Sequence, residues 1–290
     1  MKINDLIKRS SGALFSIELW PPRTSTSERK LAEALSVFSH VDIDFASITY
    51  GAGGSTRDNT HDLVIKLDRQ FNLNPVAHLV TASHSEAELR AILGRYRDHG
   101  IENLLALRGD PPIEGSGRFE VGEFSRAIQL AEFAKDEFSM CVGVAAHPGG
   151  HPDSCSLEED RKHLAEKLRV ADFAITQFFY RSSDYLRLVD DLMHLGVDKP
   201  VIPGIMAPTS YSTLQKMAQL SGTEIPATVV ERLQPYEDSP EDFKKAGTEV
   251  AIELSLTLLE AGVPGVHIFT MNQASTTLDI FEAVKGNLLR

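Results

Sequence analysis

Eight apolar, strand-like runs recur along the 290-residue chain, each followed by a helix-like run, with no polar linker between them. The runs are Ala13–Trp20, Phe45–Tyr50, Pro75–Val80, Asn103–Leu107, Met140–Ala146, Phe173–Phe178, Val201–Met206 and Val266–Phe269. Between and after them, helical spacing recurs over Ser27–Phe38, Thr56–Gln70, a segment from the cap Ser85 to Asp98, Val121–Glu137, Leu157–Arg169, Asp184–Leu195, Tyr211–Leu220, Glu241–Ala261 and Ala274–Leu288. Strict alternation of this kind predicts a parallel sheet covered by helices. Eight units in this length suit a closed (βα)8 TIM barrel, a single domain over residues 1–290, better than an open doubly wound sheet. Ser85 with Glu88 has capping-box spacing, and Gly100 follows the end of that helix.

In such a barrel the chemistry sits at the C-terminal strand ends. Those ends hold Glu18, Tyr50, His78, Asp110, His147, Gln177, Met206 and Phe269. Glu18 lies inside an apolar run that stops at Pro21 and Pro22. A carboxylate there is costly unless it is partnered or protonated, and burial raises its pKa toward the range useful for donating a proton. A Glu turned outward on an edge strand fits the same pattern. Gly51-Ala52-Gly53-Gly54-Ser55-Thr56-Arg57 offers backbone N–H groups before a helix, without the Gly-Lys-Ser/Thr of a phosphate-binding P-loop; a plain βα loop reads the same way. Asp110, in Arg108-Gly109-Asp110-Pro111-Pro112, either faces a developing cation or caps the turn. Gln177 ends an apolar strand, where its amide must find partners, either a heterocycle with an amide edge or neighbouring backbone.

Composition excludes several classes. A net charge of −12 argues against nucleic acid or an anionic membrane as the main partner. Cys141 and Cys155 are too few for a disulfide framework and lack metal-site spacing. His147 and His151 are four apart, but Pro148, Gly149 and Gly150 keep them off a common helix, so no metal site is expected. Residues 1–12 hold no apolar signal-peptide core, and no run reaches transmembrane length; a cytoplasmic protein is expected. A Schiff-base aldolase or lyase would want a Lys at a strand end, and none of the eight ends has one. The oligomeric state is not legible.

The motifs together resemble the 5,10-methylenetetrahydrofolate reductase family over nearly the whole chain. The match is carried by Ser16-Ile17-Glu18-Leu19-Trp20-Pro21-Pro22-Arg23-Thr24, Thr49-Tyr50-Gly51-Ala52-Gly53-Gly54-Ser55-Thr56-Arg57-Asp58, Ala77-His78-Leu79, Ala106-Leu107-Arg108-Gly109-Asp110, Ile175-Thr176-Gln177-Phe178-Phe179 and Ile202-Pro203-Gly204-Ile205-Met206. The resemblance implies a barrel that reduces the methylene bridge of a folate to a methyl group, in one-carbon metabolism leading to methionine. It implies Glu18 as the general acid, Asp110 facing the iminium charge, and Gln177, Tyr211, Thr49 and Phe269 on the folate. Roles toward the cofactor pass to His78, Tyr50, Arg108, His147, His151, Asp160, His163 and Lys167. The hydride donor is NADH or NADPH, commonly relayed through FAD.

The chain departs from the family on the flavin side. His147 replaces a Tyr, Glu166 stands where a basic residue meets the FAD phosphates, and a turn shortens to Val170-Ala171-Asp172. Near the C-terminus a Tyr and an Arg appear as Phe269 and Gln273. An acid beside a pyrophosphate is repulsive. The expectation is direct hydride transfer to the folate without flavin. An FAD-relayed reductase and a non-catalytic folate or flavin binder are the alternatives.

Overall fold

A computed structural model of the chain describes residues 1–50, 57–109 and 122–288. Its strands are β1 (Leu14–Leu19), β2 (Phe45–Ile48), β3 (Pro75–Val80), β4 (Asn103–Leu107), β5 (Cys141–Ala146), β6 (Phe173–Thr176), β7 (Val201–Ile202), β8 (Gly204–Ile205) and β9 (Gly265–Phe269). They form one sheet in the order β7-β6-β5-β4-β3-β2-β1-β9-β8, and every pairing is parallel. The two ends of that order, β7 and β8, are separated only by Pro203. The chain itself therefore closes the ring into a TIM-type barrel.

The sequence reads Val201–Met206 as one strand; the structure divides it. Pro203 has no N–H to give to a ladder, so the segment pairs with β6 before it and with β9 after it. The junction is held by Gly204 N–H donating to Thr176 Oγ1 (2.8 Å) and His267 N–H donating to the Pro203 carbonyl (2.9 Å). A Cβ on Gly204 would fall 2.3 Å from the Thr176 carbonyl and 2.5 Å from the Phe269 ring, so only glycine permits this approach.

The surrounding helices are α1 (Ile3–Arg9), α2 (Ser25–Phe38), α3 (Arg57–Phe71), α4 (Glu86–Asp98), α5 (Ala127–Phe138), α6 (Leu157–Val170), α7 (Ser182–His194), α8 (Tyr211–Ser221), α9 (Ala227–Leu233), α10 (Pro240–Glu260) and α11 (Ala274–Leu288). The Ser85–Glu88 capping box forms, and Gly100 ends the turn after α4 at φ +77°. Two helices go beyond the sequence reading. One is α9. The other is α1, which plugs the bottom of the barrel. Ile3 is fully buried among Leu14, Phe45, Val76, Leu105 and Phe173, and its N–H donates to the Asn103 side chain (2.9 Å). The expected helix over Val121–Glu137 is observed as Ala127–Phe138, and Val121 lies outside the described residues.

All residues of β1, β2 and β6 are buried, as a sheet covered on both faces requires. Above the apolar floor the barrel interior turns polar, with Ser16, Ser47 and His267 buried and then Glu18 and His78. That change of character along the barrel axis positions the site.

Candidate functional site

The first half of the site is built on β1, β3 and β9. Glu18 is 7% exposed at the upper end of β1, next to Phe269 in register. Trp20 Nε1–H donates to Glu18 Oε1 (3.1 Å), and His78 Nε2 stands 3.7 Å from Glu18 Oε2. Burial pushes the Glu18 carboxyl up to about 7, partly offset by the Trp20 hydrogen bond, so the group sits at the midpoint of its titration near neutral pH. Burial holds the His78 imidazole down at about 3, so it is neutral there. The outward-facing alternative for Glu18 is thereby settled in favour of the interior.

A clamp from the last strand fixes this corner. Thr270 Oγ1 donates to the Glu18 carbonyl (2.7 Å). Asn272 accepts from Trp20 N–H (3.0 Å) and donates to the Trp20 carbonyl (2.9 Å). Met271 and Asn272 reach this position through consecutive left-handed residues, φ +47° and +57°. Thr270 and Asn272 were not singled out from the sequence, because the turn conformation that aims them has no compositional signature. His267, a polar residue inside an apolar strand, carried the same signal as Glu18.

The aromatic wall lies alongside. Phe269 meets Phe178 edge-on (6.4 Å between centroids), and Tyr211 meets Phe243 edge-on (6.5 Å). Tyr211 and Phe269 both pack on the cluster of Phe178, Tyr180, Met206 and Phe243. Gln177, half-buried, turns its side-chain oxygen to accept the Phe178 N–H (3.0 Å), the neighbouring-backbone partner rather than an open amide. Thr49 donates its N–H to the Leu19 carbonyl (3.0 Å). Tyr50 Oη lies 3.0 Å from His84 Nε2. Asp110 and Gly51–Thr56 lie outside the described residues.

The second half is built on the ends of β4 and β5 and on α6. Arg108 donates to Asp153 (2.8 Å), Asp153 N–H donates to His151 Nδ1 (3.1 Å), and the His147 and His151 rings meet edge-on at 4.7 Å. Burial, reinforced by His151 and Lys167, holds His147 down at about 4. Arg161 is buried. It donates to the carbonyls of His147 (3.0 Å) and Pro148 (2.6 Å) and to Asp160 and Asp191. Lys167 Nζ donates to the Ala145 carbonyl (2.8 Å), and burial lowers its pKa. Asp160 is buried against Arg161, whereas His163 is exposed on α6. The α6 N-terminus is capped by Ser156 and carries Glu158, Glu159 and Asp160 in its first turn. No group of His, Cys, Asp and Glu suited to a metal ion occurs among the described residues.

A closed parallel barrel with a buried carboxyl at its C-terminal rim defines an enzyme of the TIM-barrel class. Residues 2–285 match the family model described as Methylenetetrahydrofolate reductase, and the chain belongs to that family. It is 33% identical to the 5,10-methylenetetrahydrofolate reductase of Escherichia coli K12 over 91% of this chain and 88% of the relative. It is 31% identical to methylenetetrahydrofolate reductase (NADH) 1 of Arabidopsis thaliana over 97% of this chain and 50% of that protein. Among solved structures, a Clostridium thermocellum protein that binds two copies of 5-methyl-5,6,7,8-tetrahydrofolic acid superposes with a TM-score of 0.67 at 15% identity, covering 99% of each chain, a likeness of fold. No described helix is long and apolar enough to cross a membrane.

Proposed function

We propose that this chain reduces 5,10-methylenetetrahydrofolate to 5-methyltetrahydrofolate, with hydride taken directly from NADH or NADPH. The observation that carries the reading is the Glu18 carboxyl, buried at the rim between Trp20 and His78, where burial raises its pKa. Its family relatives are named for this reduction.

The chemistry follows from that group. Glu18 gives its proton to N10 of the folate as the C–N10 bond of the five-membered ring breaks, and the electron pair of that bond stays on N10. The methylene carbon becomes an N5 iminium. Hydride from the reduced nicotinamide adds to that carbon, neutralises the cation and leaves a methyl group. A carboxyl with a pKa near the working pH is suited to this transfer. Asp110 would face the iminium, a role that rests on the resemblance alone. Gln177 would exchange its bond from Phe178 for the pterin edge, and Phe269 and Tyr211 supply apolar faces for the folate or nicotinamide rings.

The family also implies FAD, which would supply a redox relay. Among the described residues the α6 side offers it little. The cations that would meet a pyrophosphate are committed elsewhere, Arg108 to Asp153 and Lys167 to the Ala145 carbonyl. The helix N-terminus that would attract an anion is capped by Ser156 and lined with three acids. These groups do not fit a flavin diphosphate.

The test is anaerobic. Flavin-stripped protein is mixed with NADH and 5,10-methylenetetrahydrofolate, and the NADH absorbance is followed. Folate-dependent oxidation without flavin is expected. Oxidation only after FAD is added would return the chain to the flavin-relayed route. No oxidation in either case would leave a folate binder.

A further inference from the structure

Glu18 and His78 face one another through atoms that nothing else occupies. His78 Nε2 is buried without a hydrogen-bond partner, 3.7 Å from Glu18 Oε2, and the two side chains are 7% and 9% exposed. The other carboxyl oxygen, Oε1, already accepts the Trp20 indole N–H. A buried polar atom left unmade is costly, and a proton on the facing carboxyl oxygen would satisfy His78 Nε2.

The surroundings bring no further charge to that pair. The imidazole below, His267, lies 2.9 Å from Ser16 Oγ through Nδ1 and 3.2 Å from Ser47 Oγ through Nε2. In either tautomer the two serine hydroxyls serve the two ring nitrogens, one accepting the ring N–H and the other donating to the bare nitrogen. Both ring nitrogens are used, the ring is neutral, and it has no proton to offer His78. The neighbouring strands β2 and β4 bring Ser47, Leu105 and Leu107 toward the interior and no charge. Among the described residues, Glu18 and the neutral His267 are the titratable groups facing His78. A neutral carboxyl–imidazole pair avoids burying two charges that an ion pair would create.

We infer that His78 is a positioning residue for the acid: its Nε2 accepts the Glu18 Oε2–H and holds the transferable proton on that oxygen, while Trp20 holds Oε1. The inference assigns His78 to the acid rather than to a cofactor. It requires a small closure of the 3.7 Å gap, of the kind that catalytic hydrogen bonds undergo on substrate binding. It predicts that His78 bears its own proton on Nδ1.

The proton itself can be observed independently of turnover, although its catalytic use rests on the reductase reading. The carboxyl C=O stretch of the protein is followed by difference infrared spectroscopy from pH 5 to 9. A protonated-carboxyl band that titrates and is missing in Glu18→Gln belongs to Glu18. In His78→Leu this band is expected to move to higher frequency, and in His78→Gln, whose amide oxygen can accept the same proton, to return toward the wild-type position. Nitrogen-15 spectra of the wild type are expected to show His78 Nε2 unprotonated at pH 6. In turnover, kcat is expected to fall about tenfold in His78→Leu, the loss of one hydrogen bond of roughly 1.4 kcal/mol. The folate KM should hold, and His78→Gln should recover much of the rate. An unmoved band in His78→Leu overturns the assignment, as does a wild-type Nε2 that carries the proton at pH 6. The nitrogen-15 result stands even where His78→Leu does not fold. If the band shifts as expected but no folate is reduced, the pair stands and the reductase reading falls.

Discussion

The two halves of the rim spend their polar groups in opposite ways. On the β1–β3–β9 side, the interior leaves valences open: Glu18 Oε2 faces a His78 nitrogen that has no partner, and a carboxyl is held near neutrality by burial. On the α6 side, Arg108 and Lys167, which the resemblance turned toward a cofactor, and Arg161, which it did not name, all have internal partners. Arg108 has Asp153, Lys167 has a backbone carbonyl, and Arg161 is held by two carboxylates and two carbonyls. Open buried valences are expensive and belong where a reaction discharges them. Closed ones rigidify a loop. On the proposed reading, chemistry belongs to the first side and scaffolding to the second.

The largest effect should come from removing the acid. Glu18→Gln keeps the Trp20 contact and the volume but has no proton of suitable acidity. Folate-dependent NADH oxidation is expected to fall by roughly 10²–10⁴-fold, the usual contribution of a positioned general acid. A variant that turned over at the wild-type rate would move the acid to another residue.

The second test breaks the scaffold instead. Arg161→Met removes the buried guanidinium and leaves Asp160 buried without its partner and two carbonyls unmade. A loss of roughly 3–5 kcal/mol of stability is expected, read by denaturant unfolding. A change under about 1 kcal/mol would mean that this loop is not held from within.

How much of this contrast was legible in the sequence differs between the halves. The alternation gave the barrel, and a lone acid in an apolar strand marked Glu18, because a buried charge contradicts its neighbours. His267 carried the same signal, and its neutral role became clear only with Ser16 and Ser47 beside it. The break at Pro203 is written in the residue, yet the ring closure it allows is a property of two partner strands. The plug α1 is short and weakly patterned; its burial comes from tertiary packing of Ile3, which periodicity does not report. On the α6 side, the sequence put Arg108, Asp160 and Lys167 toward a cofactor by resemblance. Their internal partners, Asp153, Arg161 and the Ala145 carbonyl, depend on loop paths that no spacing encodes, and His163 points to solvent.

Acidity sharpens the comparison further. The proton-donating form of Glu18 is lost as pH rises through about 7, so the chemical step should slow about tenfold per unit above that value, a limb that Glu18→Gln lacks. Stability follows the same sign. The native state binds the Glu18 proton more tightly than the unfolded chain between 4.5 and about 7. This contribution is complete below 4.5 and is lost as pH rises across that window. His78 and His267 act in the other direction. Held at about 3 in the fold, they favour the native state above 6.5 and withdraw that support as pH falls toward 3. Between pH 4.5 and 6.5 the two contributions oppose one another, so chemical denaturation across that window should show stability rising more steeply with pH in Glu18→Gln than in the wild type. An unchanged slope would assign the raised proton affinity elsewhere.

The smallest expected change tests whether the second side is closed by its own ion pairs. Asp153 is largely exposed, so its bond from Arg108 contributes about 1 kcal/mol or less, and Asp153→Asn should leave unfolding nearly unchanged. Its effect on charge is another matter. The variant removes the carboxylate that occupies Arg108 and returns one positive charge to the rim, while Lys167 and the acidic first turn of α6 stay as they are. If internal pairing is what turns this side away from anions, Asp153→Asn should bind pyrophosphate or FAD measurably more tightly than the wild type, with the gain fading as salt rises. Equal affinities in the two proteins would show that Asp153 is not the barrier. The acids at the head of α6, Glu158, Glu159 and Asp160, would then be what repels an anion there, since a helix N-terminus lined with carboxylates has already spent its attraction on them.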